Sequence, residues 1–478
     1  MKRNAFVLFS VFALLTLVLA AMPVLAQDPI EVKMWVAFTD YRLDWAKQKA
    51  EVFNAAHPEY MVTVEGYNNY EELFAATALA AEQGSLPAVV QYFEAATQDA
   101  RDSGFFKSIA DAIGDRTEIA GVPVNFEDII GAVSAYYTLD GKWTSMPWNT
   151  SSAIMFSNMT MLNAAGVDTV PATWAEVDAA CEKVMAMAEG PDYCFTFPNH
   201  GWFFEQWLAQ QDGVFANNDN GRSARATEIA FNSEAGVAIL NWLDDMAAKG
   251  YLYYSGAQGG ASWGTVDQAF FGNQVAMAPY SSSDTALYTN TGAENGYEVV
   301  ASFMPYNDET GWTGNLIGGA SLWLTDGLSP EVEDGALAWL LWMTNTENAI
   351  EWHQVTGYIA IRQSSIDLLN TDGWYDAVVA NGASQVWLDN AAVQASQGKV
   401  WYGENPNFIV ASNQLSQSTI TPATQGVIMG AFPAIRNYVT AAVDTVLLTD
   451  DDPQAVLDAA AAEANKTLEE YNLLNAPE

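Results

Sequence analysis

Only three histidines, His57, His200 and His353, occur in 478 residues, and 58 acids outnumber 18 bases. Histidines so few and so widely spaced offer little to a Ser–His–Asp or Cys–His nucleophile, even though such triads assemble in space. The chain has no G-x-G-x-x-G after a strand, no P-loop and no H-E-x-x-H. A secreted glycosidase would need two carboxylates singled out by their surroundings, and no pair among the 58 is. The residues that do stand out suit the holding of a polar ligand. Trp352-His353-Gln354-Val355-Thr356-Gly357-Tyr358-Ile359-Ala360-Ile361-Arg362 gathers two aromatics, a histidine, a glycine turn and a cation. Arg436 is one of three cations in the last hundred residues, with Lys399 and Lys466. Cys181 and Cys194 have no neighbouring histidines and make a poor zinc site. In an exported chain they are expected to close a disulfide.

These residues need elements to position them. Ile30–Val36 alternates as a strand, Asp44–Asn54 has helical spacing, Tyr60–Val64 is a second strand, and Tyr70–Gln83 is a helix capped near Asn68 or Asn69. Ala88–Tyr92 is a third, nearly all-apolar strand. This β-α-β-α-β rhythm predicts a mainly parallel sheet covered on both faces. A second α/β unit follows. Ala153–Phe156 is a strand, Thr173-Trp174-Ala175-Glu176 is a capping box, and Ser233–Lys249 is an amphipathic helix stopped by Gly250. Short strands are expected at Val275–Ala278, Val299–Ala301 and Ile317–Leu324. Helical pattern runs from Glu331 to Glu351, ends at Gly357, and gives way to an extended segment. Asp450-Asp451-Asp452-Pro453 caps a last helix reaching about Tyr471. With no Gly/Ser or Pro-rich linker between the units, short crossings rather than a tether should join them.

Composition sets the compartment. Lys2 and Arg3 precede an apolar run from Ala5 to Leu19, and Val24-Leu25-Ala26 offers a cleavage site, so residues 1–26 read as a secretory signal peptide. The remainder is expected to be exported, to the periplasm or beyond. The whole chain carries 17 Trp, 20 Tyr and 22 Phe, enough for a large core and a binding wall. A net charge of -40 makes nucleic acid and anionic membranes poor partners, and any bound anion must be held by a local cation.

Four stretches carry a family resemblance: Pro147-Trp148-Asn149-Thr150-Ser151-Ser152, Ile317-Gly318-Gly319-Ala320-Ser321-Leu322-Trp323, Glu351-Trp352-His353-Gln354-Val355-Thr356-Gly357-Tyr358, and Phe432-Pro433-Ala434-Ile435-Arg436. A spacing of 34 residues separates Ile317 from Glu351. The chain resembles the extracellular solute-binding proteins of ABC importers, of the maltose-binding type, and within them the glycerophosphate-binding subgroup. The resemblance covers nearly the whole chain after the first 26 residues. It implies a two-lobed α/β periplasmic-binding-protein fold of type II, each lobe a mainly parallel sheet with helices on both faces, and a ligand cleft between lobes. The expected division is residues 27–142 plus about 306–350 in one lobe and about 143–305 plus 351–478 in the other. The implied partners are a small solute and a membrane permease, with no cofactor, no metal and no catalysis, in a monomer. The implied ligand set is Tyr70, Glu94, Ser151, Trp202, one of Ser281 and Ser282, one of Gly318 and Gly319, Tyr358 and Arg436. In it Glu94 accepts from glycerol hydroxyls, the serines and a backbone N–H hold phosphate, Tyr358 donates its hydroxyl, and Arg436 supplies the cation. The expected ligand is sn-glycerol-3-phosphate or a glycerophosphodiester, with a sugar as the alternative. Two departures bear on this. An earlier tryptophan of the family pattern is replaced within Pro198-Asn199-His200, and the usual proline after the Gly-Tyr-hydrophobic run is Ala360. Both alter the aromatic wall in the direction of a wider cleft.

Overall fold

A computed structural model of the chain describes residues 28–475. The signal peptide expected at 1–26 lies outside the described residues. Two sheets organise the molecule. In the first, strands run in the order Tyr60–Gly66, Ile30–Val36, Val89–Phe93, Gly318–Thr325, Phe106–Lys107, and Met146–Ser151 also pairs with Gly318–Thr325. In the second the order is Leu252–Tyr253, Phe195–Thr196, Met277–Ser281, Ala153–Asn158, Val299–Phe303. Both sheets are mixed, which corrects the expectation of mainly parallel sheets. Ile30–Val36 pairs in parallel with both its neighbours, but Gly318–Thr325 runs antiparallel to Val89–Phe93, Phe106–Lys107 and Met146–Ser151. Ala153–Asn158 is likewise antiparallel to both its partners. These strands enter each sheet from the other lobe instead of through a βαβ crossover, so nothing imposes a parallel sense on them.

The expected helices form where capping and periodicity placed them. Asn69 accepts from the Glu72 N–H and opens Tyr70–Glu82; Asp452 accepts from Ala455 N–H and opens Pro453–Leu474. The single helix expected from Glu331 to Glu351 is two, Pro330–Met343 and Thr346–Thr356. Asn345 breaks it, turning extended and accepting the Asn348 N–H as a new N-cap. Gly357, at φ 105°, ends the second helix in a conformation that an L side chain resists.

Packing divides the chain differently from the expected boundaries. One core joins Val32, Val62, Leu322 and Trp339 to Trp352, Trp374, Trp387, Trp401 and Phe408, so residues 351–408 belong with the first lobe. Met146 and Trp148 are in this core as well, which moves the first crossing from 143 to Ser152. The second core runs from Ala153 through Trp174, Phe203 and Leu243 to Leu316, and resumes at Ala423 through Leu468. A seam cluster of Tyr136, Ile154, Tyr280, Ile317, Ile359 and Leu415 lies between them. The chain thus crosses three times, at 151–153, 316–318 and 408–411, and side chains tie the crossings together. Ser152 Oγ donates to Leu316 O at 3.0 Å, while Gln414 Nε2 reaches Ser152 Oγ at 3.2 Å and Ala153 O at 2.8 Å.

Trp352 anchors the first lobe beside the seam. Its ring stacks on Trp148 at 4.7 Å and on Tyr358 at 5.6 Å, and packs on Trp45 at 4.9 Å. Its helix is pinned by a fully buried ion pair, Lys49 Nζ to Glu351 Oε1 at 3.2 Å, with Trp45 Nε1 donating to Glu351 at 3.1 Å. Trp352→Ala is expected to lower the unfolding free energy by about 3–5 kcal/mol in chemical denaturation, since it empties a large fully enclosed site. A loss below about 1 kcal/mol would show that the ring stack collapses onto the gap.

The disulfide is formed: Cys181, on the Trp174–Met185 helix, bonds to Cys194, just before the Phe195–Thr196 strand. Among the described residues no helix is long and apolar enough to cross a membrane, and no cluster of side chains could hold a metal ion.

Candidate functional site

Several of the implied ligand residues lie on strands that meet at the seam. Met146–Ser151 and the start of Gly318–Thr325 run side by side there, with Ser151 opposite Gly318 and Thr150 opposite Gly319. Ser281 lies opposite Ala153 in the second sheet, and Ser282 Oγ accepts the Ser152 N–H at 3.2 Å. Ser281 Oγ is occupied with its own turn, accepting Ser283 N–H at 3.2 Å and Ser283 O–H at 2.9 Å. Trp202 closes on the same strands: its Nε1 donates to Ile317 O at 3.3 Å, and a Cβ on Gly318 would meet its ring at 2.5 Å. Gly318 therefore has no side chain because an indole fills that space.

Tyr70 and Tyr358 approach from the first lobe. Tyr70 stacks on Phe93 at 5.0 Å and accepts from Asn149 Nδ2 at 3.3 Å, and Asn149 in turn accepts from Gln91 at 2.9 Å. Tyr358 is held by its stack on Trp352 and by Ile359 N–H on Thr150 O at 2.8 Å. Burial raises the Tyr358 hydroxyl above the ordinary tyrosine range, with Arg42, Asn149 and Asp284 as polar neighbours. His353 is packing. Its Nδ1 lies 2.7 Å from Tyr358 O, which can only accept, so that nitrogen carries the hydrogen; burial lowers its pKa to about 4 and keeps the ring neutral. Arg362 is spent on Thr344 O, Asn125 O and Asp128, away from the cleft.

Arg436 meets carboxylates from both lobes. It projects from the second-lobe helix Phe432–Leu448 and lies 4.6 Å over the Phe432 ring. Its Nη2 donates to Glu94 Oε1 at 2.7 Å and to Glu205 Oε2 at 3.1 Å, and its Nε donates to Glu205 Oε1. Glu94 stands at the carboxyl end of the first-lobe strand Val89–Phe93, so this pair crosses the seam. All three side chains are buried. Burial works against the guanidinium charge, but Glu205 and Glu94 outweigh it and hold the pKa above the usual arginine range. Burial pushes Glu205 up to about 7 despite Arg436 pulling it down.

A raised carboxyl pKa has a definite sign. Between the ordinary value of 4.5 and about 7 the folded state holds the proton more tightly than the unfolded one, so stability falls as pH rises through that window. Relative to Glu205→Gln, the unsubstituted protein is expected to lose up to about 1 kcal/mol per pH unit there, read from denaturation midpoints at each pH. Parallel curves would show that Glu205 stays ionised in the fold.

Sequence reasoning passed over Glu205, Asn149, Arg42, Asp284 and Trp263. Arg42 lies 4.3 Å over Phe38, bonded to Asp40, with Tyr358 beside it. Asp284 accepts from Ser283 Oγ at 2.7 Å, and burial lifts it to about 6. Trp263 packs edge-on against Tyr280 at 4.8 Å and near Trp202 at 6.5 Å. The one available signal was for Glu205, the only charged residue in the aromatic-rich helical run Gly201–Gln210.

The family model for bacterial extracellular solute-binding proteins matches residues 48–383. The chain belongs to that family. It is a substrate-binding protein of an ABC importer, working outside the cytoplasmic membrane. Its sequence is 28% identical over 429 residues to the sn-glycerol-3-phosphate-binding periplasmic protein UgpB of Salmonella typhimurium, covering 88% of this chain and 89% of that one. The fold is similar to UgpB of Mycobacterium tuberculosis in complex with glycerophosphocholine, with TM-score 0.71, 18% identity, and coverage of 93% of this chain and 99% of that one. It is also similar to the cyclic alpha-maltosyl-1,6-maltose binding protein of Arthrobacter globiformis, with TM-score 0.69, 19% identity, and coverage of 92% and 100%. These matches agree with the two-lobed fold read from the sequence.

Proposed function

We propose that the seam captures a glycerophosphate ester and delivers it to the permease unchanged. The observation that carries this reading is the Glu94–Arg436 pair at 2.7 Å, an acceptor from one lobe and a cation from the other, beside two aromatic walls. Glycerol hydroxyls would donate to Glu94 and lie against Trp202. The phosphate would take the Ser151 hydroxyl, the Ser282 hydroxyl, a backbone N–H at Gly318 or Gly319, the Tyr358 hydroxyl and Arg436. Ser282 is preferred to Ser281 because its Oγ lies against the Ser152 N–H at the seam, whereas Ser281 Oγ is held in the turn at Ser283. Charged hydrogen bonds to phosphate are the strong ones, and closure of the lobes would exclude water from them. The 28% identity to a glycerol-3-phosphate-binding protein supports the same reading.

One observation favours a sugar instead. Arg436 already serves two carboxylates, an arrangement suited to neutral hydroxyls. A thermal-shift panel of glycerol-3-phosphate, glycerophosphocholine and maltose separates the two, because a ligand that binds only the folded state raises the melting temperature. Stabilisation by sugars and by neither phosphate ester overturns the proposal. Release of a chromogenic product from nitrophenyl glycosides or phosphate esters would overturn the assignment of capture without turnover.

A further inference from the structure

Arg436 has little left to offer a ligand. Glu205 accepts from both Nε and Nη2, the edge that would otherwise grip two phosphate oxygens, and Glu94 accepts from Nη2 as well. Among the described residues, Nη1 donates to no protein acceptor. Three of the five guanidinium N–H donors are thus taken, and the two left diverge from one nitrogen, Nη1, instead of forming the parallel bidentate pair that makes arginine a strong phosphate binder. The charges around it are adverse too. Glu94 and Glu205 share Arg436, while Asp40 and Asp284 lie by Arg42, which is itself bonded to Asp40, beside Tyr358. A phosphomonoester carries nearly two negative charges at neutral pH, whereas a phosphodiester carries one and a polyol none. At low effective dielectric a second charge adds desolvation and repulsion that the one free nitrogen does not offset.

We propose that Glu205 sets the charge this site accepts, by occupying the Arg436 fork so that a phosphodiester or an uncharged polyol is held and a dianionic phosphomonoester is disfavoured. This rests on the glycerophosphate reading and narrows it to diesters. Glu205 acts through Arg436 and is a positioning residue. The structural alternative, that Glu205 only neutralises a buried cation, predicts equal effects on all ligands.

Calorimetric titration at pH 7.5 distinguishes them, using glycerol-3-phosphate and glycerophosphocholine on the unsubstituted protein, Glu205→Gln and Glu205→Asp. The unsubstituted protein is expected to bind the diester at least tenfold tighter than the monoester. Glu205→Gln removes the charge and releases one of the two fork donors, and is expected to narrow that ratio at least tenfold, mainly by gain for the monoester. Glu205→Asp keeps the charge and is expected to keep the preference. If Glu205→Gln does not fold, Glu205→Asp carries the test through its retained ratio, with Glu205→Met as the charge-free form. Equal changes for both ligands in the charge-free variant, or a preference for the monoester in the unsubstituted protein, overturn the inference while leaving the glycerophosphate reading intact. Binding of neither ester to the unsubstituted protein overturns both.

Discussion

Arg436→Met is expected to lower the unfolding free energy by about 3–5 kcal/mol and to abolish the melting-temperature gain from every ligand in the panel. The stability loss comes from what remains. Glu94 and Glu205, both buried, would face each other with no cation between them, and breaking a buried pair by removing one partner is far costlier than replacing the whole pair. Combining Arg436→Met with Glu205→Gln should recover part of the stability by removing one of the orphaned charges, yet should not restore binding. A stability loss below about 1 kcal/mol in the single variant would mean that water or protonation relieves the carboxylates without cost. Glycerophosphate binding that survives intact would make Arg436 structural.

Gly319→Ala is expected to disturb folding and binding together. Gly319 sits at φ 93°, and a Cβ there would lie 1.9 Å from the Asn149 carbonyl oxygen. The conformational term alone is about 1–3 kcal/mol. The clash adds to it, because no rotamer change moves a backbone oxygen. The register of Gly318–Thr325 against Met146–Ser151 already shifts between Gly319 and Ser321, so the variant must displace the strands where two crossings meet. The expected outcome is a loss of about 3 kcal/mol or more in chemical denaturation, together with weaker binding as Asn149 moves from Tyr70. Gly318→Ala is the contrasting case. Its Cβ would meet the Trp202 ring, a side chain, so its effect should fall on ligand binding more than on folding. An unfolding free energy within about half a kcal/mol of the parent for Gly319→Ala would show that the strand yields and that the glycine is not required.

Local signals were legible residue by residue. Asn69, Thr173, Ser233 and Asp452 act as N-caps as their side chains dictate. The alternation of Ile30–Val36 and Tyr60–Gly66 forms neighbouring parallel strands. The cysteines pair as compartment and spacing required. Even the break at Asn345 was present as a polar residue able to cap, although the surrounding apolar pattern read straight through it. Helical periodicity, by contrast, says that a face is apolar and does not say which core receives it. Trp374, Trp387 and Trp401 therefore gave no sign that they return to the first lobe.

The charge state of the site shows the same limit. By itself the sequence determined that this is an exported, acidic, two-unit α/β chain with the family's ligand motifs, because those properties reside in composition, caps and short runs. It also marked Arg436 as a cation in need of a reason. Only the tertiary structure decided that the reason is two carboxylates, from positions 94 and 205, converging on one guanidinium across the seam. Coulombic coupling depends on distance in space and on exclusion of water, and neither is a function of separation along the chain.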